Sequence, residues 1–199
     1  MNVAILLFND FETLDVFGPV EIFGRLKQHY QVSFYSASGG IVDNNHGVSI
    51  QTKNLDEINN GTDIFLIPGG YGTRKEVGNI FLIDTIRKIS NLSKYVLSVC
   101  TGSALLAKAG LLDGRKATSN KKAFDWVITQ GKEVQWIKKA RWVKDEKFYT
   151  SGGVSAGMDM TLGFLNDLHG IEFARNVAFE IEYNWIEDME DDHFYQQIQ

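Results

Sequence analysis

The hydrophobic positions of this chain alternate between short continuous runs and longer amphipathic stretches. Residues 3–8 (Val-Ala-Ile-Leu-Leu-Phe) and 64–67 (Ile-Phe-Leu-Ile) are apolar throughout, which is typical of strands buried on both faces of a parallel sheet. The pattern predicts further strands at residues 31–36, 48–52 (in a hairpin that begins near 39–40), 95–99, 134–136, 141–143 and 148–150. It predicts helices over residues 12–26, 80–90, 124–129, 155–168 and 172–185. Strands that alternate with helices indicate an α/β fold with a mostly parallel sheet.

The 199 residues predict one domain that spans the whole chain. Only two prolines occur, and no linker-like stretch, repeat or low-complexity segment divides the sequence. An acidic tail over about residues 187–199 begins with Glu-Asp-Met-Glu-Asp-Asp. We expect this tail to fray, as terminal segments commonly do.

Composition and charge narrow the class of partner. A net charge of −5 leaves no basic stripe for phosphates, so nucleic acid is not expected as a partner. No apolar run approaches the roughly 20 residues that span a bilayer, and residues 1–8 lack the basic lead of a signal peptide. One cysteine forms neither an intrachain disulfide nor a thiolate metal site. The sequence therefore predicts a cytoplasmic protein with no membrane association and no metal.

The single cysteine, Cys100, directly follows the apolar run 95–99 and precedes a helix-prone run. Ser98 and Gly102 flank it two residues away, which is the spacing of a nucleophile elbow, where only small neighbours fit the turn. The start of a helix also favours a thiolate. The alternative is a buried cysteine that acts as a small hydrophobic residue.

A glycine-rich turn, Pro68-Gly69-Gly70-Tyr71, ends the preceding strand. Ligands of open parallel sheets bind beyond the carboxyl ends of the strands. We expect the Gly70 and Thr101 N–H groups to stabilise negative charge on a substrate there, with Tyr71 as a wall. The alternative is a plain strand-to-loop turn.

Asp15 falls within an apolar face of the first predicted helix, among Phe11, Leu14, Gly18 and Ile22. A carboxyl in this position costs free energy unless it finds a partner. We expect a partly desolvated carboxyl with a raised pKa, directed at the thiol and usable as a general acid or base. The alternative is a slightly different helix register that leaves Asp15 at the surface.

The histidines, the second glycine-rich segment and the aromatic residues do not indicate a particular site. His29, His46, His169 and His193 are scattered, and none adjoins Cys100 in the sequence. The glycine-rich segment 151–159 lacks the Gly-Lys-Ser/Thr of a phosphate loop. Its Ser155 and Asp159 are predicted to cap and start a helix. Phe124 and Trp126 are candidate pocket walls.

Taken together, these motifs resemble the ThiJ/PfpI superfamily, with its class I glutamine-amidotransferase-like fold. The matching segments, in order, are Leu14–Pro19, Ile67–Gly70, Val99–Gly102 with Ala109–Gly114, and Thr150–Asp159. The resemblance covers essentially the whole chain. It implies a flavodoxin-like three-layer α/β/α sandwich and a homodimer.

Details of these motifs separate the subgroups. Protease-like members carry histidine after the cysteine, where this chain has Thr101, and the late His169-Gly-Ile-Glu172 has the wrong spacing for an amidotransferase. Asp15 with Cys100-Thr101 resembles the isonitrile hydratase subgroup and the ligand-binding halves of some AraC-type regulators. One departure is Asn120, which stands where that subgroup often has the histidine of Thr-x-His.

The resemblance implies a small-molecule enzyme of the isonitrile hydratase type, without metal or organic cofactor. Cys100 would be the nucleophile, Asp15 the acid and base, and Thr101 would steer water. Gly69, Gly70 and Tyr71 would bind the substrate. Two alternatives remain: a glyoxalase-like or deglycase-like enzyme, and a non-catalytic redox-sensing or binding protein.

Overall fold

The computed structural model describes residues 1–58 and 62–195. The strands are β1 (Asn2–Leu6), β2 (Gln31–Ser36), β3 (Gly40–Asp43), β4 (Ser49–Asn54), β5 (Ile64–Ile67), β6 (Tyr95–Ser98), β7 (Lys116–Ala117), β8 (Gln135–Trp136), β9 (Trp142–Asp145) and β10 (Phe148–Ser151). The α-helices are α1 (Thr13–Arg25), α2 (Thr73–Glu76), α3 (Ile80–Leu92), α4 (Gly102–Lys108), α5 (Phe124–Val127), α6 (Ala156–His169) and α7 (Ile171–Glu180). Single 3₁₀ turns occur at Leu55–Glu57 and Ile128–Gln130.

Within the described residues, eight strands form one sheet in the order β3-β4-β2-β1-β5-β6-β10-β9. The six strands from β4 to β10 are parallel, and the edge strands β3 and β9 run antiparallel to their neighbours. All four residues of β5 are buried, because helices cover both faces of the sheet centre. The mostly parallel sheet predicted from the apolar runs is thus confirmed.

The helices form two groups on opposite faces of this sheet. Helix α1 packs on α6, and α6 packs on α7. Helices α2 and α3 pack on α4 in the other group. This arrangement is the predicted flavodoxin-like α/β/α sandwich. The carboxyl ends of β1, β5, β6 and β10 meet at one edge, where the chain leaves the sheet toward α1, α2, α4 and α6.

The last predicted helix is too long. Helix α7 ends at Glu180 rather than at residue 185. The chain then turns back onto α6, where Trp185 Nε1 donates to the carbonyl of Asp159 at 3.2 Å and the Ile186 N–H donates to Asp159 Oδ1 at 3.0 Å. The apolar residues after 180 therefore pack from an irregular segment.

The acidic tail does not fray over its described part, so this prediction is wrong for residues 187–195. The Arg141 N–H donates to the carbonyl of Met189 at 2.7 Å. Asp192 is buried, with its carboxylate 3.2 Å from Lys121 Nζ. Residues 196–199 lie outside the described part of the chain. None of the described helices combines the length and apolar character that a bilayer crossing demands.

Candidate active site

Cys100 occupies a sharp turn between β6 and α4. Its φ is 57°, a left-handed conformation that residues other than glycine seldom adopt. A Cβ atom at Gly102 would lie 2.3 Å from the Ile67 carbonyl oxygen, so no larger residue fits there. The Cys100 N–H donates to the Gly152 carbonyl at 3.1 Å, and its carbonyl accepts from Ser119 Oγ at 2.8 Å. The backbone geometry is that of the predicted elbow.

Asp15 of α1 is fully buried beside this cysteine. Its Oδ2 accepts the Gly69 N–H at 2.9 Å. Among the described residues, Oδ1 has no hydrogen-bond partner of normal geometry, although the Cys100 thiol and the Val154 N–H interact with the carboxyl. The surface alternative for Asp15 is therefore wrong, and Gly69 serves to orient the carboxyl.

Burial decides the protonation of this pair. Burial raises the pKa of Asp15 to about 8, opposed by the Gly69 N–H and assisted by the charge of Glu12. Burial also raises the pKa of Cys100 well above its ordinary value. The Asp15 charge raises that pKa further, while the Thr101 N–H and the Asn120 side chain lower it. At neutral pH both groups therefore hold protons.

The predicted thiolate at the helix start is thus wrong for the resting state. Helix α4 has seven residues, so its dipole is small. The sulfur is buried, and a carboxyl that becomes negative at higher pH lies next to it. Both effects disfavour the thiolate more than the nearby N–H groups favour it.

The Gly70 N–H is already engaged, which corrects its predicted role as a donor to a substrate oxyanion. It donates to Thr101 Oγ1 at 3.1 Å. The Thr101 hydroxyl lies 3.2 Å from the Gly70 carbonyl and 3.0 Å from Thr73 Oγ1. These three residues satisfy one another, so Gly70 shapes the pocket floor. The Thr101 N–H is directed at the Cys100 sulfur.

Asn120 lies beside Cys100, a placement that the sequence does not predict. Its side chain lies near enough to Cys100 to lower the pKa of the thiol. Its Oδ1 accepts the Ala123 N–H at 3.1 Å, which leaves the amide NH₂ as the group that can face the sulfur. A Cβ at Gly153 would lie 2.1 Å from Asn120 Nδ2, so Gly153 makes room for this side chain. The Thr-x-Asn spacing after the elbow helix was the available indication.

Cys100, Thr101 and Asn120 border a pocket of about 260 Å³, whereas the buried Asp15 and Gly69 do not line it. Its lining residues are Glu12, Gly70, Tyr71, Arg74, Cys100, Thr101, Asn120, Lys122 and Ala123. Of the predicted walls, Tyr71 lines the pocket, whereas Trp126 stacks on Arg74 and Phe124 packs against Trp136. No histidine belongs to the described lining. His46 lies outside it, with Nδ1 2.8 Å from Thr13 Oγ1.

The predicted cap of α6 is not formed. Ser155 stands at the start of the helix without capping it, and its Oγ accepts from Arg141 Nη2 at 3.3 Å. Asp159 instead forms a buried ion pair with Arg141, at 2.6 Å. Both side chains are drawn to the arginine because a buried guanidinium must be satisfied.

A model of the DJ-1/PfpI family matches residues 1–167, and the chain belongs to this family. The isonitrile hydratase of Pseudomonas putida is 31% identical over 183 residues, which cover 92% of this chain and 78% of that protein. Deglycase PfpI of Pyrococcus furiosus is also 31% identical, over 69% of this chain and 81% of its own length. The crystal structure of a ThiJ/PfpI family protein from Pseudomonas syringae superimposes with a TM-score of 0.84 at 28% identity, covering 92% of this chain and 75% of that one.

Proposed function

We propose that this protein hydrates an isocyanide to an N-substituted formamide, with Cys100 as nucleophile and Asp15 as proton carrier. The observation that carries the proposal is the buried pair itself. A protonated carboxyl with a pKa of about 8 interacts with a protonated thiol, and one of its oxygens has no other partner of normal geometry among the described residues. Such a pair supplies a nucleophile and a proton together.

In the first step the Cys100 sulfur attacks the terminal carbon of the isocyanide. The Asp15 carboxyl donates its proton to that carbon and takes up the thiol proton on its other oxygen. The thiol S–H is thereby added across the carbon, which gives a thioimidate, and the carboxyl ends the step protonated. The Asn120 amide and the Thr101 N–H stabilise charge on sulfur as the S–H bond breaks.

In the second step water adds to the thioimidate carbon. The carboxyl protonates the imine nitrogen and accepts a proton from the water. The tetrahedral adduct then collapses: the C–S bond breaks, the hydroxyl proton passes through Asp15 to sulfur, and the formamide leaves. The thiol and the carboxyl are regenerated, so one water is consumed per turnover. The Thr101 hydroxyl is already engaged by Gly70 and Thr73, so the Asp15 carboxyl, rather than Thr101, orients that water.

The match to isonitrile hydratase over 92% of the chain supports the proposed hydration of an isocyanide. The deglycase matches, at equal identity over 69% of the chain, support a second candidate: a glyoxalase-like or deglycase-like reaction in which the same thiol adds to the aldehyde of a 2-oxoaldehyde. Both candidate functions require a small-molecule substrate. We also propose the homodimer that the resemblance implies and the cytoplasmic location that the single cysteine predicts. Sedimentation analysis tests the dimer.

The deciding experiment incubates the purified protein with neutral alkyl and aryl isocyanides and with isocyanoacetate, and in parallel with methylglyoxal. We expect formamide to form catalytically, with ¹⁸O from labelled water in its formyl group. Cys100→Ala and Asp15→Asn should each abolish turnover while leaving the circular dichroism spectrum unchanged. Asp84→Asn is the matched control, because Asp84 is an exposed residue of α3 outside the pocket, and this variant should remain active. Consumption of methylglyoxal without formamide formation would replace the proposal with the second candidate, and activity toward neither would reject both.

A further inference from the structure

Arg74 differs from the other arginines of this chain. The chain has six arginines, and the other five form ion pairs: Arg25 with Glu21, Arg87 with Asp84, Arg115 with Asp145 and Glu146, Arg141 with Asp159, and Arg175 with Glu172 and Glu187. Among the residues that the structure describes, Arg74 has no carboxylate within 4 Å. In a chain with a net charge of −5, an arginine without an acidic partner needs an explanation.

The Arg74 guanidinium is nevertheless held in place. Its central carbon lies 5.0 Å from the centre of the Tyr71 ring and 4.6 Å from the centre of the Trp126 ring. Aromatic rings attract a guanidinium through its flat faces. Its N–H groups, which lie along the edge, therefore remain available for an acceptor outside the protein.

This arginine belongs to the pocket that contains Cys100. Lys122 lines the same pocket and likewise has no carboxylate within 4 Å among the described residues. Glu12 is the one acidic side chain of the described lining, and its carboxylate lies 3.9 Å from His46 Nδ1. Among the described residues, the pocket lining thus has two cationic side chains without an acidic partner and one acidic side chain that lies near a histidine.

We propose that Arg74, with Lys122, binds the carboxylate of an anionic substrate whose reactive carbon reaches Cys100. Guanidinium groups match carboxylates through two parallel N–H···O bonds, and the two aromatic rings fix the plane in which these bonds form. The substrate class that follows is an isocyanide that bears a carboxylate. The isocyanide part of this inference rests on the proposed function, whereas the anion site does not.

The anion site is tested without turnover, through the rates at which iodoacetate and iodoacetamide alkylate Cys100. Cys100 is the chain's one cysteine, so both rates report on this pocket. Only iodoacetate is anionic, and the ratio of the two rates cancels changes in thiol ionisation. We expect Arg74→Gln to lower the iodoacetate-to-iodoacetamide ratio about fivefold, as for a partly exposed ion pair. About 0.5 M salt should lower the wild-type ratio in the same direction.

Lys75→Gln is the matched control. It removes the same charge from the neighbouring exposed position of α2, and Lys75 does not line the pocket. We expect this variant to keep most of the wild-type ratio. An unchanged ratio in Arg74→Gln, or an equal fall in Lys75→Gln, would overturn the proposal.

A second arm compares isocyanoacetate with its neutral methyl ester as substrates. We expect Arg74→Gln to lower the ratio of kcat/KM for the anion to that for the ester, mainly through a higher KM for the anion. An alkylation ratio that depends on Arg74 in a protein that hydrates no isocyanide would retain the anion site and reject the proposed function. Isocyanide turnover with an alkylation ratio indifferent to Arg74 would do the reverse.

Discussion

At the scale of single residues, the site is governed by what burial does to Asp15. An aspartate has an ordinary pKa of 3.8, and burial raises that of Asp15 to about 8. A carboxyl that keeps its proton at neutral pH carries no charge and can act as a proton donor. The fold tolerates the unfavourable burial of this carboxyl beside the Cys100 thiol, which we propose as the nucleophile, and strongly perturbed pKa values are typical of functional sites.

The raised pKa makes a prediction about stability. Between the unfolded and folded pKa values the native state binds more protons than the unfolded state, so Asp15 lowers the stability of the protein as pH rises from about 4 to about 8. At the upper limit the effect is on the order of 5 kcal/mol. We expect Asp15→Asn to unfold at higher urea concentration than wild type near about pH 8, with the difference vanishing near about pH 4.

The exposed control Asp84→Asn should follow the wild-type curve at every pH, because its carboxylate is 60% exposed. An Asp15→Asn variant that is less stable than wild type at the alkaline end would contradict the raised pKa. The same result would imply that the Asp15 carboxylate is charged and well satisfied in the folded protein.

The sequence permits prediction of some of these residues and not of others. Asp15 is predictable because an acidic residue interrupts an apolar helical face, and Cys100 because small residues flank it at the end of a strand. The engagement of the Gly70 N–H by Thr101 and the contact of Asn120 with sulfur depend on side-chain rotamers and on loops that meet only in the folded chain. The spacing of apolar and polar residues along the sequence does not predict such contacts.

At the scale of elements, the elbow depends on close packing between α4 and the end of β5. A Cβ at Gly102 would meet backbone oxygens of Ile67 and Pro68 at 2.3 and 2.8 Å, and backbone cannot move as a flexible side chain can. We therefore expect Gly102→Ala to lower the free energy of unfolding by about 3 kcal/mol and to impair Cys100 alkylation. Urea unfolding and the alkylation rate are the measurements.

Gly24→Ala is the contrasting substitution. Gly24 lies in α1, and no atom of the described residues stands within 4 Å of a Cβ placed there. Alanine should raise the free energy of unfolding by about 0.5–1 kcal/mol through its higher helix propensity. Equal effects of the two substitutions would show that the contacts at Gly102 do not constrain the turn.

The ends of strands and helices are predictable where the local sequence sets them and not where a tertiary contact does. Strands β2 and β5 have the predicted bounds because polar or glycine-rich turns stop the apolar runs. Helix α7 ends five residues early because Trp185 and Ile186 are recruited by Asp159 of α6. Apolar spacing continued past the helix end, and only the tertiary contact explains where the chain leaves the helix.

At the scale of the whole molecule, the described C-terminal segment packs against the residues that the family model matches, although that model ends at residue 167. Asp192 joins the buried side chains of Lys121 and Arg141, at 3.2 and 3.9 Å. All three side chains are less than 5% exposed. Removing one partner of a buried ion pair leaves the other uncompensated.

We therefore expect Asp192→Ala to lower the free energy of unfolding by about 3 kcal/mol and to make the chain after α7 sensitive to proteolysis. Asp191→Ala is the control, because its carboxylate is half-exposed and, within the described part of the chain, lies near no basic side chain except the exposed His193. The control should stay within about 0.5 kcal/mol of wild type. Indistinguishable variants would mean that the segment contributes nothing to the stability of the domain.

The central claim is that Cys100 and Asp15 form one coupled, buried, protonated pair. The most direct test is the pH dependence of Cys100 alkylation by iodoacetamide in wild type, Asp15→Asn and Asp84→Asn. We predict a wild-type midpoint above the ~8.5 of an unperturbed thiol, a lower midpoint in Asp15→Asn because the neighbouring negative charge is gone, and no change in Asp84→Asn. A wild-type midpoint below that value, or one that Asp15→Asn leaves in place, would contradict the claim.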